Sequence, residues 1–159
     1  MRFHRAASGS WELRGLHPLF ASLLAELPKV ASRHRKAQAR LYPDPTGGEG
    51  EAQLRNDWKE HVRPGLERLF SSSRETVARD LSTLVPNSPG ASLVIPAAHL
   101  DAWLNALSQA RLIIVEENGF TESDLDHREQ PDLATRRGLA LLKVHFYAHL
   151  QELLVEAAG

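Results

Sequence analysis

The apolar positions of this chain change their period along its length. In MRFHRAASGSWELRGL they alternate, Phe3 and Arg5 flanking His4, then Trp11 and Leu13 flanking Glu12. Alternation at period two around the turn residues Ala7-Ser8-Gly9-Ser10 predicts a short β-hairpin. At His17-Pro18 the period lengthens. Leu19, Phe20, Leu23, Leu24 and Leu27 share one helical face. Pro18 suits the first helical position, where its missing N–H has no partner to lose. Pro28 disrupts or ends this helix.

A longer stripe begins near Glu51. Leu54, Trp58, Val62, Leu66, Leu69, Phe70, Ser73, Val77, Leu81 and Leu84 recur at spacings of three and four. They predict one long buried helical face, kinked or split at Pro64-Gly65. The β-branched run SLVIP, residues 92–96, predicts a strand that joins the hairpin. A helix follows from about Ala97 to Asn118, with Leu100, Trp103, Leu104, Leu107, Arg111 and Ile114 as its core face. Gly119 stands where a left-handed cap residue belongs, with Phe120 folding back on Val115. Thr121 and Asp124 have the spacing of a variant capping box. The last helix is expected from near Pro131 to about Ala157. It is apolar on most sides and is therefore placed at the centre of the bundle. Residues 43–50 and VPNSPG, residues 85–90, read as surface loops. The pattern predicts one domain over residues 1–159. It is mainly α, with four to five helices and a small antiparallel sheet made of the N-terminal hairpin and a strand near 92–95.

Composition narrows the function. The chain has 159 residues, 42% hydrophobic and 25% charged. A domain of that length buries roughly 70% of the surface its unfolded chain exposes, so no metal or disulfide is needed for folding. Nineteen basic residues against twenty acidic ones leave a net charge of −1, which disfavours a general nucleic-acid binder. The chain has no cysteine. That removes disulfides, thiolate nucleophiles, iron–sulfur clusters and thiolate zinc sites, and it fits a cytoplasmic protein. The N-terminal stretch lacks the apolar core of a signal peptide. Strictly apolar runs are four residues or fewer, too short for a membrane span.

Candidate chemistry is sparse. Arg111 lies among Leu104, Leu107 and Ile114, and an unpaired buried charge there costs several kcal/mol. Between Glu116 and Asp132 there are seven acids and one cation, Arg128. The favoured reading is an ion pair from Arg111 to one of these acids that fixes the following loop; the alternative is a ligand-anchoring arginine. His145 and His149 share a helix face and Glu152 lies three residues on, but no glutamate base stands between the histidines as in H-E-x-x-H enzymes. A satisfied histidine pair is preferred, and no metal or other cofactor is expected. The acidic run lacks the register of a calcium loop. Ser71, Ser72 and Ser73 lack a nucleophile elbow and read as small packing residues. Gly47, Gly48 and Gly50 lack the strand and lysine of a phosphate loop. Residues 29–40 carry five cations and no acid. Lys29, Arg33, Arg35, Lys36 and Arg40 read first as a solvated charged helix. Arg33, Arg35, Lys36 and Arg40 are also the best candidate partner surface.

Four blocks then carry a resemblance: RLYPDP (40–45), LRNDWKEHVRPGLERLFSSSRETVARDL (54–81), AWLNALSQARLIIVEENGFTESD (102–124) and YAHLQELLVE (147–156). In order and spacing the chain resembles the bacterial family catalogued as domain of unknown function two thousand and seventeen, also labelled an oxidative stress regulator family. The resemblance implies no catalytic residues. Trp103, Leu104, Arg111 and Leu112 transfer as motif positions, read as packing residues with Arg111 the charged exception. Ser108 departs from the asparagine frequent in the family, and a cysteine-based redox switch cannot be carried over. The expectation is a cytoplasmic, non-enzymatic regulatory or adaptor-like domain that contacts an unidentified protein partner. Self-association between the basic block and the acidic 116–132 region is a further option. The rivals are a DNA-binding transcriptional regulator and a small-ligand sensor or enzyme with an anion site at Arg111.

Overall fold

Phe3 stands opposite Leu13 and Arg5 opposite Trp11, pairing strand β1 (Arg2–Arg5) antiparallel with β2 (Trp11–Leu16). Alternation decides which side is dry. Trp11, Leu13 and Leu16 are buried, while Glu12 and Arg14 form an ion pair at 2.7 Å on the outer face. The register slips between Leu13 and Leu16, where Gly15 takes φ +67°; such a bulge favours a residue without Cβ. β3 (Ala91–Ile95) pairs antiparallel with the other edge of β2, giving the order β1-β2-β3. This is the sheet the sequence predicts. The computed structural model describes residues 1–45, 52–84, 90–126 and 131–159. The expected loops therefore lie largely outside the described residues, as does the glycine cluster at 47–50.

α1 (Pro18–Ala25) opens with His17 as N-cap, its Nδ1 accepting from the Leu19 N–H at 3.2 Å. Pro28 redirects the path instead of ending it. α2 (Leu27–Ala31) restarts with that proline in its first turn, where it sacrifices no hydrogen bond. α3 (Gln38–Leu41) is a single turn. The long stripe folds as α4 (Ala52–Asp57), a π-helical turn (Trp58–Val62) and α5 (Arg63–Leu81) in succession. The Arg63 N–H bonds back to the Trp58 carbonyl. This wider turn just ahead of Pro64 absorbs the proline and lets the helix run on.

That stripe is buried over only half its length. Ser73, Val77, Leu81 and Leu84 are buried, but Leu54, Val62 and Leu69 are 56%, 47% and 48% exposed. α5 packs against α6, α2 and α1, while α4 and the π turn lean mainly on each other and on α5. The rod outruns the core that its C-terminal half helps to form.

A 3-10 turn (Ala97–His99) leads into α6 (Leu100–Asn118). This helix, not the C-terminal one, is central. It packs against α2, α3, α5 and α8 (Arg136–Ala158). Neighbours on several sides bury Ala106, Ala110 and Ile113 together with Trp103, Leu107 and Ile114. Leu100, Leu104 and Arg111, expected on the core face, are only half-buried. α6 ends as predicted, with Gly119 at φ +60° and the Phe120 N–H on the Val115 carbonyl at 3.1 Å. In α7 (Glu122–Asp126) Thr121 and Asp124 exchange hydrogen bonds, Thr121 N to Asp124 Oδ2 at 2.8 Å and Asp124 N to Thr121 Oγ1 at 3.3 Å. α8 starts at Arg136, later than the expected Pro131, because Thr135 is its cap and accepts from Gly138 N at 2.9 Å. A Cβ at Gly138 would collide with the Asp132 carbonyl, so this close return of the chain requires glycine.

Among the described residues the architecture is mainly α. Four long helical paths, 18–31, 52–81, 100–118 and 136–158, stand with the short turns α3 and α7 over a three-stranded sheet. No described helix is long and apolar enough to cross a membrane.

Candidate functional site

Arg111 projects from α6 towards α8 and meets an amide. Its Nη1 donates to Gln151 Oε1 at 2.8 Å, and Gln151 Nε2 donates in turn to Ser108 Oγ at 2.8 Å. Arg111 Nε is buried without a partner. Among the described residues no carboxylate pairs with Arg111, which corrects the expected ion pair. The α8 carboxylates Glu152 and Glu156 share a second hollow with Arg111 and Gln151, but neither forms an ion pair with it, and the expected acids at 116–132 all precede α8. Arg111 also lines a hollow of about 400 Å³ between α6, α7 and α8. Arg40, Ser108 and Glu122 supply its other polar lining, and Leu112, Val115, Phe120, Leu125 and Val144 its apolar wall.

The loop after α6 is fixed by a different arginine. Arg137 Nη1 donates to the Asn118 carbonyl at 2.8 Å, Arg137 Nη2 pairs with Asp124 at 3.1 Å, and the guanidinium covers the Phe120 ring at 4.6 Å. The Asp124 carboxyl lies below its ordinary value, first because the Thr121 N–H donates to it, then through the Thr121 hydroxyl and Arg137.

The basic block is not a solvated helix. Residues 32–37 form turns between α2 and α3, so no basic recognition helix is presented there. Arg33 pairs with Glu117 at 3.1 Å and Arg40 with Glu116 at 2.7 Å. The basic and acidic regions read as two docking surfaces thus neutralise each other in part within one chain. Lys29, Arg35 and Lys36 are left without an ion-pair partner among the described residues. Arg35 and Lys36 line an open hollow of about 520 Å³ with Ser32, Arg33, His34, Gln38 and Glu117.

The family-motif tryptophan is architectural in its contacts. Trp103 is fully buried, and its Nε1 donates to Asp80 Oδ2 at 2.8 Å, on a carboxylate that also accepts from His99 Nδ1 at 3.0 Å. Leu104 packs against the main core, and Leu112 joins a second cluster with Leu41, Tyr42, Ile113, Trp58, Leu66 and Phe70. Ser73 is buried and bonds the Leu69 carbonyl at 2.8 Å. His145 and His149 do not converge. His145 Nε2 hydrogen-bonds the Leu125 carbonyl at 3.0 Å, and exposed His149 faces Glu152 at 3.9 Å. Among the described residues no group of three or more His, Asp or Glu is placed to hold a metal.

A feature misread from the sequence is the outer face of the long rod. Pro45, Leu54, Trp58 and Val62 line an apolar hollow of about 430 Å³, with Asp57 and His61 at its edge. Trp58 is half-buried on the second cluster and Leu54 and Val62 stand out on either side. Periodicity placed Leu54, Trp58 and Val62 on one face but could not say that this face lacks a cover among the described residues.

The model of the family described as "Domain of unknown function (DUF2017)" matches residues 10–158. No curated protein and no solved structure matches the chain.

Proposed function

The chain belongs to the DUF2017 family, and we propose that it is a cytoplasmic, non-enzymatic regulatory domain that acts by docking another protein. One observation carries this reading: Leu54, Val62 and Leu69 stand about half exposed along one helical rod, with Trp58 between the first two. Large aliphatic side chains aligned beside an aromatic anchor offer the contact that a partner's apolar helix face fills. The docking surface therefore shifts from Arg33, Arg35, Lys36 and Arg40 to the rod. Arg33 and Arg40 are already engaged by acids of the same chain, and a net charge of −1 argues for protein over nucleic acid as the partner. A tie to stress regulation rests on the family resemblance alone.

The test is a photocrosslinking residue placed at Val62 in living cells, with the same residue at Arg35 as comparison. The expected result is one discrete adduct from position 62. The adduct's polypeptide, purified, binds the wild-type chain and loses about tenfold or more in affinity to the double variant Leu54→Asp, Val62→Asp. Adducts from position 35 alone, or a partner indifferent to that double variant, would move the surface back to the basic block. An adduct of twice the chain mass would identify the partner as a second copy.

A further inference from the structure

We propose that the hollow between α6, α7 and α8 binds a small monocarboxylate with an apolar body, its head group on Arg111. The argument begins with unused hydrogen-bonding capacity. A guanidinium carries several N–H donors in a planar fork, yet among the described residues Arg111 uses one, on the neutral oxygen of Gln151. Its Nε is shut away from water and so lies out of a ligand's reach, which leaves the remaining N–H groups of Nη1 and Nη2 to take an anion. A carboxylate is the group whose paired oxygens match the ends of such a guanidinium fork.

Position and charge then select the ligand. Arg111 borders two hollows. The one against the end of α8 sets two carboxylates, Glu152 and Glu156, against the single arginine, and so disfavours an anion. The other, of about 400 Å³, falls within the size range of small-molecule sites. Its wall beyond Arg111 is Phe120, Leu125 and Val144, which suits an aliphatic or aromatic body. Arg40 is on the lining but is already matched by Glu116 at 2.7 Å, leaving Arg111 as the open cation. Glu122 has no ion-pair partner among the described residues, and it too lines the hollow. It disfavours a second negative charge on the ligand, which makes the fit a monocarboxylate and not a dicarboxylate. Ser108 and Gln151 position the arginine: Ser108 accepts from the Gln151 amide and so turns the amide oxygen towards Arg111.

The test uses octanoate, its neutral amide octanamide and the dicarboxylate suberate, each titrated into the full chain by calorimetry and ligand-detected NMR. Octanoate is expected to saturate one site, with octanamide and suberate each about tenfold weaker or more. Arg111→Gln removes the preference for octanoate over octanamide, and Glu122→Gln improves suberate more than octanoate. Leu125→Trp fills the hollow without touching the guanidinium and abolishes octanoate binding, which keeps the test decisive if Arg111→Gln fails to fold. Equal binding of octanoate and octanamide, octanoate binding that survives Leu125→Trp, or no saturable octanoate binding would overturn the proposal. Octanoate binding removed by Leu54→Asp with Val62→Asp would place the ligand on the rod and overturn it equally.

Discussion

The Arg40 guanidinium and the Glu116 carboxylate, 76 residues apart in sequence, meet at 2.7 Å. With Arg33 and Glu117 beside them they tie the turn segment after α2 to the end of the central helix. The Arg40 and Glu116 side chains are 57% and 31% exposed, so water and salt screen the attraction. A double-mutant cycle with Arg40→Ala and Glu116→Ala is expected to give a coupling of about 0.5 kcal/mol, shrinking as salt is raised. A salt-independent coupling would contradict this reading.

Asp80 holds the junction between the sheet and the central helix. Its carboxylate accepts from the fully buried Trp103 indole and from His99. Asp80→Ala strands the indole N–H in the core and is expected to cost about 2 kcal/mol in a urea unfolding curve. His99→Ala is expected to cost less, because its side chain is already 33% exposed.

Tyr147 is fully buried and donates to the Leu23 carbonyl at 2.7 Å. Tyr147→Phe is expected to lower stability by about 1 kcal/mol. Burial pushes the Tyr147 hydroxyl well above its ordinary value, and burial also raises Tyr42. Groups with raised values bind more protons folded than unfolded. Their contribution is therefore complete below the unfolded value of 10.0 and is lost as pH climbs past it towards the folded values. Ultraviolet titration is expected to find neither tyrosine ionising at the ordinary value until the chain unfolds.

Asp124 behaves in the opposite sense. Held below the ordinary 3.8 by the Thr121 N–H and hydroxyl and by Arg137, it binds fewer protons folded than unfolded. Its contribution is complete above 3.8 and is lost as pH falls through the lower folded value. Asp124→Asn is expected to flatten that acid limb in urea midpoints taken below pH 3.8. Arg137→Gln, which also removes the bond to Asn118 and the cover on Phe120, is expected to cost about 1 kcal/mol at neutral pH.

The rod divides into two halves with different sensitivities. Val77 is fully buried, and Val77→Ala is expected to destabilise by about 2 kcal/mol. Leu54→Gln and Val62→Thr lie on the exposed half and are expected to stay within about 0.5 kcal/mol of wild type. Large losses at Leu54 or Val62 would mean that the outer face is covered within the chain, leaving no surface for a partner.

Local rules carried the sequence a long way. The period-two alternation around Trp11 and Leu13 specified the hairpin, the left-handed glycine at 119 ended α6, Thr121 and Asp124 capped α7, and Pro18 opened α1. Each depends on neighbours within a few residues, and backbone sterics and hydrogen bonding act at that range. Which apolar face finds a cover, and which charge finds a partner, depends on how the rods pack. Hence Leu54 and Val62 match Val77 in periodicity yet face water, α6 and not α8 takes the centre, and Arg111 meets Gln151 while Arg137 takes the loop assigned to it. Sequence spacing counts candidate acids around an arginine, but only the crossing of α6 with α7 and α8 decides what its guanidinium can reach.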